Sequence, residues 1–176
     1  MIQFKEISPV EESLVSKEAN DLIDALELKM SDFKPVSCPL VHRFTPGMYS
    51  RQIFMKKGLL LTSKIHKTIH QYIVSQGRVS VWTEGEGWVE IEAPYTGITI
   101  PGARRVLFTH EETIWTTFHP TRIHPKNNSY EEVQKAVDRI ERVIIEKHDN
   151  QLLTEEQKRD MLYWANGRIG EPKKLN

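Results

Sequence analysis

Residues 58–77 read GLLLTSKIHKTIHQYIVSQG, two β-rich runs, GLLLTSKI and IHQYIVS, framed by Gly58 and Gly77. The same signature extends in both directions, as short β-rich runs punctuated by Gly and Pro. VHRFT and MYSRQIFMK precede it; RVSVWTE, WVEIE, TGITI, RRVLFTH and TIWTTFH follow it. Turn signals fall at Pro46-Gly47, Gly58, Gln76-Gly77, Gly85-Glu86-Gly87, Tyr95-Thr96-Gly97 and Pro101-Gly102. Nine runs in about 80 residues leave no room for crossover helices, so the sheet is expected to be antiparallel and closed as a sandwich or barrel.

On either side the period changes. Ser8-Pro9-Val10-Glu11 supplies an N-cap, a proline at N1 and a capping-box glutamate, and Leu14, Ala19, Leu22, Ile23, Leu26 and Leu28 predict a helix over 8–30 with one apolar face. Downstream, Ser129 and Glu132 form a second capping box ahead of Val133, Val137, Ile140, Val143 and Ile144, and a third helix is predicted from Thr154 toward Gly167. The organisation expected is an N-terminal helical segment (1–35), a barrel (36–125) and a C-terminal helical appendage (126–176), together one compact domain. A chain of 176 residues suffices for one core.

Composition narrows the setting. Hydrophobic residues at 39% and charged residues at 27% are ordinary for a globular protein, and no apolar run approaches the roughly 20 residues that cross a bilayer. The N-terminal MIQFKEISPVEE has no basic stretch followed by an apolar one, so a cytoplasmic location is expected. Cys38, the single cysteine, excludes an intramolecular disulfide and any metal site needing two thiolates from one chain. The net charge is zero but uneven: −4 over 1–35, +5 over 36–127 and −1 over 128–176. Six of the seven histidines, His42, His66, His70, His110, His119 and His124, fall in the basic middle, where function is therefore sought. Six acids dilute that segment, so it lacks the basic stripe of a nucleic-acid surface.

The stretch 58–77 also resembles the first motif of the cupin superfamily: a glycine, a His-x-His pair, a glutamate and a closing glycine. Counted back from Gly77, His70 stands in the glutamate position, His66 in the second-histidine position and Lys64 in the first. The second cupin motif, Pro-x-Gly followed by histidine, is matched in TGITIPGARRVLFT by Pro101-Gly102, with Arg105 in the histidine position. A guanidinium cannot coordinate a cation, so the chain departs from the family there. Longer pieces, TSKIHKTIHQYIVSQGRVSVW and TGITIPGARRVLFTHEETIWTTFHPT, are similar to small cupin proteins encoded by tailed phages. The resemblance covers roughly 40–120 and implies a single cupin-like jelly roll, a lumen facing its ligands and, commonly, pairing of subunits.

The candidate site is drawn from these positions. His66 and His70 can both face inward if a turn at 67–69 separates them, and His119 is the third imidazole by alternation, since Trp115, Thr117 and His119 share one strand face. His110 is its rival. Such a set would take one divalent transition metal: zinc, iron, manganese or nickel. The competing structural reading is that the histidines only cap strand ends. Of Arg104 and Arg105, alternation sends one inward, and motif position favours Arg105. With Lys64 it would suit a carboxylate or phosphate, against the bland alternative of a salt bridge to Glu90, Glu92 or Glu112. Tyr72 shares a face with His70, and Trp82 or Trp115 could stack on a ring, although aromatics also fill cores. Cys38 has no basic partner in sequence and is not expected to act as a nucleophile. Val137, Ile140, Ile144 and Trp164 could pack on the barrel or on a second copy in a homodimer.

Two functions follow from these residues. One is a binding module that holds a small anion, a nucleotide, sugar phosphate or carboxylate, through Lys64, Tyr72, Arg105 and Trp115. The other is a metal-dependent enzyme acting on a small polar molecule through His66, His70 and His119. No catalytic residue is assigned.

Overall fold

The computed structural model describes residues 17–84, 87–146 and 156. The first helix, α1, is Lys17–Met30, the described part of the segment predicted at 8–30; the Ser8 cap and the helix predicted from Thr154 lie outside the described residues, Glu156 apart. Ten strands follow: β1 Leu40–Thr45, β2 Met48–Met55, β3 Leu60–Thr62, β4 Ile65–His66, β5 His70–Gln76, β6 Arg78–Thr83, β7 Gly87–Glu92, β8 Tyr95–Thr99, β9 Val106–Thr109 and β10 Thr113–Pro120. The chain ends its described course in α2, Tyr130–Ile144, and β11, Ile145–Glu146. No helix among the described residues is long and apolar enough to cross a membrane.

The strands pair antiparallel in two main sheets, β1-β2-β10-β5-β8 and β3-β9-β6-β7. Setting aside the short β4 and the edge strand β1, the remaining eight strands counted in chain order run 1-8-3-6 in one sheet and 2-7-4-5 in the other. That is the order of a double-sheet jelly roll, the architecture of the cupin barrel. Alternation explains how one face of each strand builds the core. In β5, His70, Tyr72 and Val74 are buried while Gln71 is exposed, and Val79 and Val81 of β6 with Leu107 of β9 close the core from the other sheet.

Each of the nine predicted runs contains a strand, with two differences. GLLLTSKI is broken into β3 and β4. Ser63 turns the chain by donating its amide to the Arg105 carbonyl and accepting the Arg105 amide on its hydroxyl, and β4 then pairs with β11, at the far end of α2. Gly97 lies within β8 rather than in a turn, which falls instead at Ala93-Pro94. Its lack of a side chain serves packing: a Cβ there would meet the Tyr72 ring at 2.5 Å.

Two helices close the barrel. Ser129 caps α2 by accepting the Glu132 amide, and Val137, Ile140 and Ile144 bury against Tyr49 of β2. Each such side chain contributes about 1.5–3 kcal/mol against about 1 for a cap, so packing on the barrel, more than capping, holds α2. The apolar face of α2 is thus used within the chain. α1 buries Ala19, Ile23 and Ala25 and is fixed by Arg104, which is 2% exposed. The Arg104 guanidinium lies 2.5 Å from Asp24 and 3.1 Å from Glu27, and donates to the Asn20 carbonyl.

Candidate functional site

The jelly roll sets His66 at the end of β4, His70 at the start of β5, and His119 near the end of β10, which runs beside β5. A bend at Lys67 and Thr68 reverses the chain between the first two. The ring centroids of His66 and His70 are 4.4 Å apart, those of His70 and His119 4.3 Å, and those of His66 and His119 6.2 Å. His70 Nδ1 is 3.0 Å from the Thr68 carbonyl, an acceptor only, so this nitrogen carries the proton and Nε2 keeps the lone pair. His119 Nε2 pairs with the Thr117 hydroxyl at 3.0 Å. His66 Nδ1, His70 Nε2 and His119 Nδ1 are buried without a hydrogen-bond partner.

Burial and mutual proximity keep these rings neutral. Burial, then the neighbouring His70, His119, Arg105 and Arg51, push His66 down to about 2. Burial, with His70 and Arg51, takes His119 to about 3. His70 is lowered by burial and by Arg105, against the opposing pull of the Thr68 carbonyl. At neutral pH the cluster therefore offers imidazole lone pairs rather than positive charge. Among the described residues, however, no three His, Cys, Asp or Glu side chains already converge as a bound ion's ligands do.

Two of the trio border a cavity of about 160 Å³. His66 and His70 line it, with Lys64, Arg105, Trp115 and hydroxyls from Thr62, Ser63, Thr99 and Thr117; Leu61, Leu107, Ile53 and Met55 supply apolar wall. Arg105 Nη1 donates to Thr99 Oγ1 at 3.2 Å, and its guanidinium carbon lies 5.5 Å from the Tyr72 ring centre. Arg104 points away, to α1. Tyr72 stands behind the pocket wall and not in it: its ring stacks on Trp115 at 4.5 Å and 18°, pressed against Gly97.

Other sequence candidates sit elsewhere. His110 bonds Ser80 Oγ at 2.7 Å and lies 3.8 Å from Glu90, away from the trio. Glu90 also pairs with Arg78 at 3.2 Å. Burial raises the Cys38 thiol, the opposite of an activated nucleophile.

One lining residue was not singled out from the sequence. Arg51 of β2 faces the cavity, directly across from Thr117 of β10, while reaching Glu141 of α2 at 3.7 Å. The signal was local: Tyr49, Arg51, Ile53 and Met55 alternate along β2, and an arginine among inward-facing apolar positions marks a polar site in the lumen.

Several solved structures are partly similar to the chain. A cupin-2 domain protein from Shewanella frigidimarina shares 13% identity, covering 55% of this chain and 92% of that one, with a TM-score of 0.39. A putative ethanolamine utilization protein from Salmonella typhimurium shares 15%, covering 48% and 70%, at 0.41. A double-stranded β-helix domain protein from Klebsiella pneumoniae shares 14%, covering 51% and 84%, at 0.41. No family model and no curated protein matches the chain. Likeness at this level carries neither the fold nor an activity. The strand order of the chain itself, 1-8-3-6 against 2-7-4-5, is what gives it the jelly-roll architecture of the cupins.

Proposed function

We propose that the barrel binds a small anionic molecule in the cavity beside the histidine trio. The observation that supports this is the lining: Arg51, Lys64 and Arg105 contribute to it, and among the described residues it contains no acidic side chain. The Arg105 guanidinium, held by Thr99, stands in that lining, and a guanidinium is the group that pairs best with a carboxylate or phosphate. A thermal-shift screen of carboxylates and phosphates tests the reading. Ligand at about 100 times its dissociation constant adds roughly 2.7 kcal/mol of stability. The protein should respond to at least one anion, and Arg105→Ala should lose that response. If no anion shifts the transition and Arg105→Ala behaves as wild type, the reading is wrong.

A second reading is favoured by a different observation, the three unpartnered buried nitrogens of His66, His70 and His119. Unsatisfied polar atoms are costly in a core, and neutral imidazoles are the donors that zinc, iron, manganese and nickel accept. His66, His70 and His119 would hold it once drawn closer than their present spacing, and the Thr68 carbonyl already fixes the His70 tautomer. A bound divalent ion would supply Lewis acidity and positive charge beside the anion site. Elemental analysis of protein purified without chelator should give about one equivalent, reduced in His70→Ala. Well under one equivalent, with no uptake on adding each metal, would exclude this reading.

A further inference from the structure

We infer that the ligand is a small carboxylate with an apolar body, rather than a sugar phosphate or nucleotide; this rests on the anion reading above and narrows it. Polarity in the lumen is graded along the strands. On β2 the inward side chains run Arg51, Ile53, Met55; on β10, directly paired with it, they run Thr117, Trp115, Thr113. Arg51 lies opposite Thr117 and Ile53 opposite Trp115, so the sheet turns from cationic and hydroxylic to apolar within one two-residue step, about 7 Å.

The other polar groups gather at the same end. His70 is paired with Thr99, the residue that accepts the Arg105 guanidinium N–H. In the second sheet, the cross-strand partners Leu61 and Leu107 line the same cavity and pack in one apolar cluster with Ile53 and Trp115. The indole is held rigid by stacking on Tyr72. A molecule that fills this space places its charge against Arg105 and its body between Leu61, Leu107, Ile53 and Trp115.

The chemistry of the lining selects against polyhydroxylated ligands. Each ligand hydroxyl brought against the hydrocarbon end would lose its water without gaining a partner. A carboxylate with an aromatic or short acyl body avoids that loss.

Calorimetric titration of the full chain tests this with five probes: benzoate, hexanoate, glycerate, glucose 6-phosphate and benzyl alcohol. Benzoate and hexanoate should bind at least tenfold more tightly than glycerate or glucose 6-phosphate, with a negative heat-capacity change from apolar burial. Benzyl alcohol, which has the ring and no charge, should bind at least tenfold more weakly than benzoate. Leu61→Gln, at a partly exposed wall position, should weaken hexanoate several-fold, whereas Arg105→Ala should weaken both carboxylates. Tighter binding of glycerate or glucose 6-phosphate would overturn this inference while leaving the anion reading standing. Equal binding of benzyl alcohol and benzoate would overturn the anion reading, and binding of none of the five would overturn both.

Discussion

Acid should weaken this protein before its carboxylates titrate, because His66 and His119 are held neutral in the folded state. Their folded values of about 2 and about 3 lie far below the roughly 6.5 of a histidine in an unfolded chain. A depressed histidine contributes no penalty above the unfolded value. As pH falls below about 6.5 the unfolded chain takes up protons that the folded one refuses, and stability drops by about 1.36 kcal/mol per pH unit for each ring. At pH 5 this comes to about 2 kcal/mol per ring, about 4 for the two, against a typical total of 5–15 kcal/mol. The loss continues until pH reaches the folded values. His70 is lowered as well and adds in the same direction. Urea denaturation with chelator present, at pH 7.5 and pH 5.0, measures the difference. With a slope of about 2 kcal/mol/M the midpoint should fall by about 2 M. His66→Asn/His119→Asn should flatten the dependence. A wild-type loss under about 1 kcal/mol, or an equal loss in the double variant, would refute the account of neutral buried rings.

Arg104→Met should destabilise by about 3–5 kcal/mol in chemical denaturation, because it leaves the Asp24 and Glu27 carboxylates against the barrel without their partner; a change under 1 kcal/mol would show that α1 does not depend on the pair. Gly97→Ala should cost about 1–3 kcal/mol, since its Cβ displaces the Tyr72 ring from Trp115, and near-ultraviolet circular dichroism should report the altered stacking. Ser129→Ala should cost about 1 kcal/mol through lost capping of α2 in the same denaturation assay, with Ser129→Asp close to wild type.

What was legible in the sequence was what local rules encode. Alternation and Gly or Pro punctuation located nine strand-bearing runs, and the Ser129 box located α2, because those signals depend on neighbours a few residues away. Parity along TIWTTFH put Trp115, Thr117 and His119 on one face for the same reason. Features that depend on distant partners were not legible. The glycine at 97 reads as a turn until Tyr72, across the sheet, is known to need its space. The break between β3 and β4 depends on Arg105 and on β11, which arrives some 80 residues later. Arg51 was readable in principle, yet its role depends on Thr117 lying opposite, a register that only the folded sheet supplies. The choice between Arg104 and Arg105 shows both kinds of signal. Alternation demands that the two diverge, while the destination of Arg104 is set by acids on a helix some eighty residues upstream.

That divergence has a thermodynamic consequence. Arg104 anchors α1 and Arg105 borders the cavity, and the two are consecutive residues just before β9, so the helix and the pocket share one stretch of main chain. Glu27 strengthens the link, since it also accepts the hydroxyl of Thr62, another wall residue. Occupancy of the cavity and docking of the helix are then coupled equilibria, and linkage makes the coupling reciprocal. Under the binding proposed above, a ligand that immobilises Arg105 should slow hydrogen exchange in α1. Loosening the helix, by the same free energy, weakens the ligand.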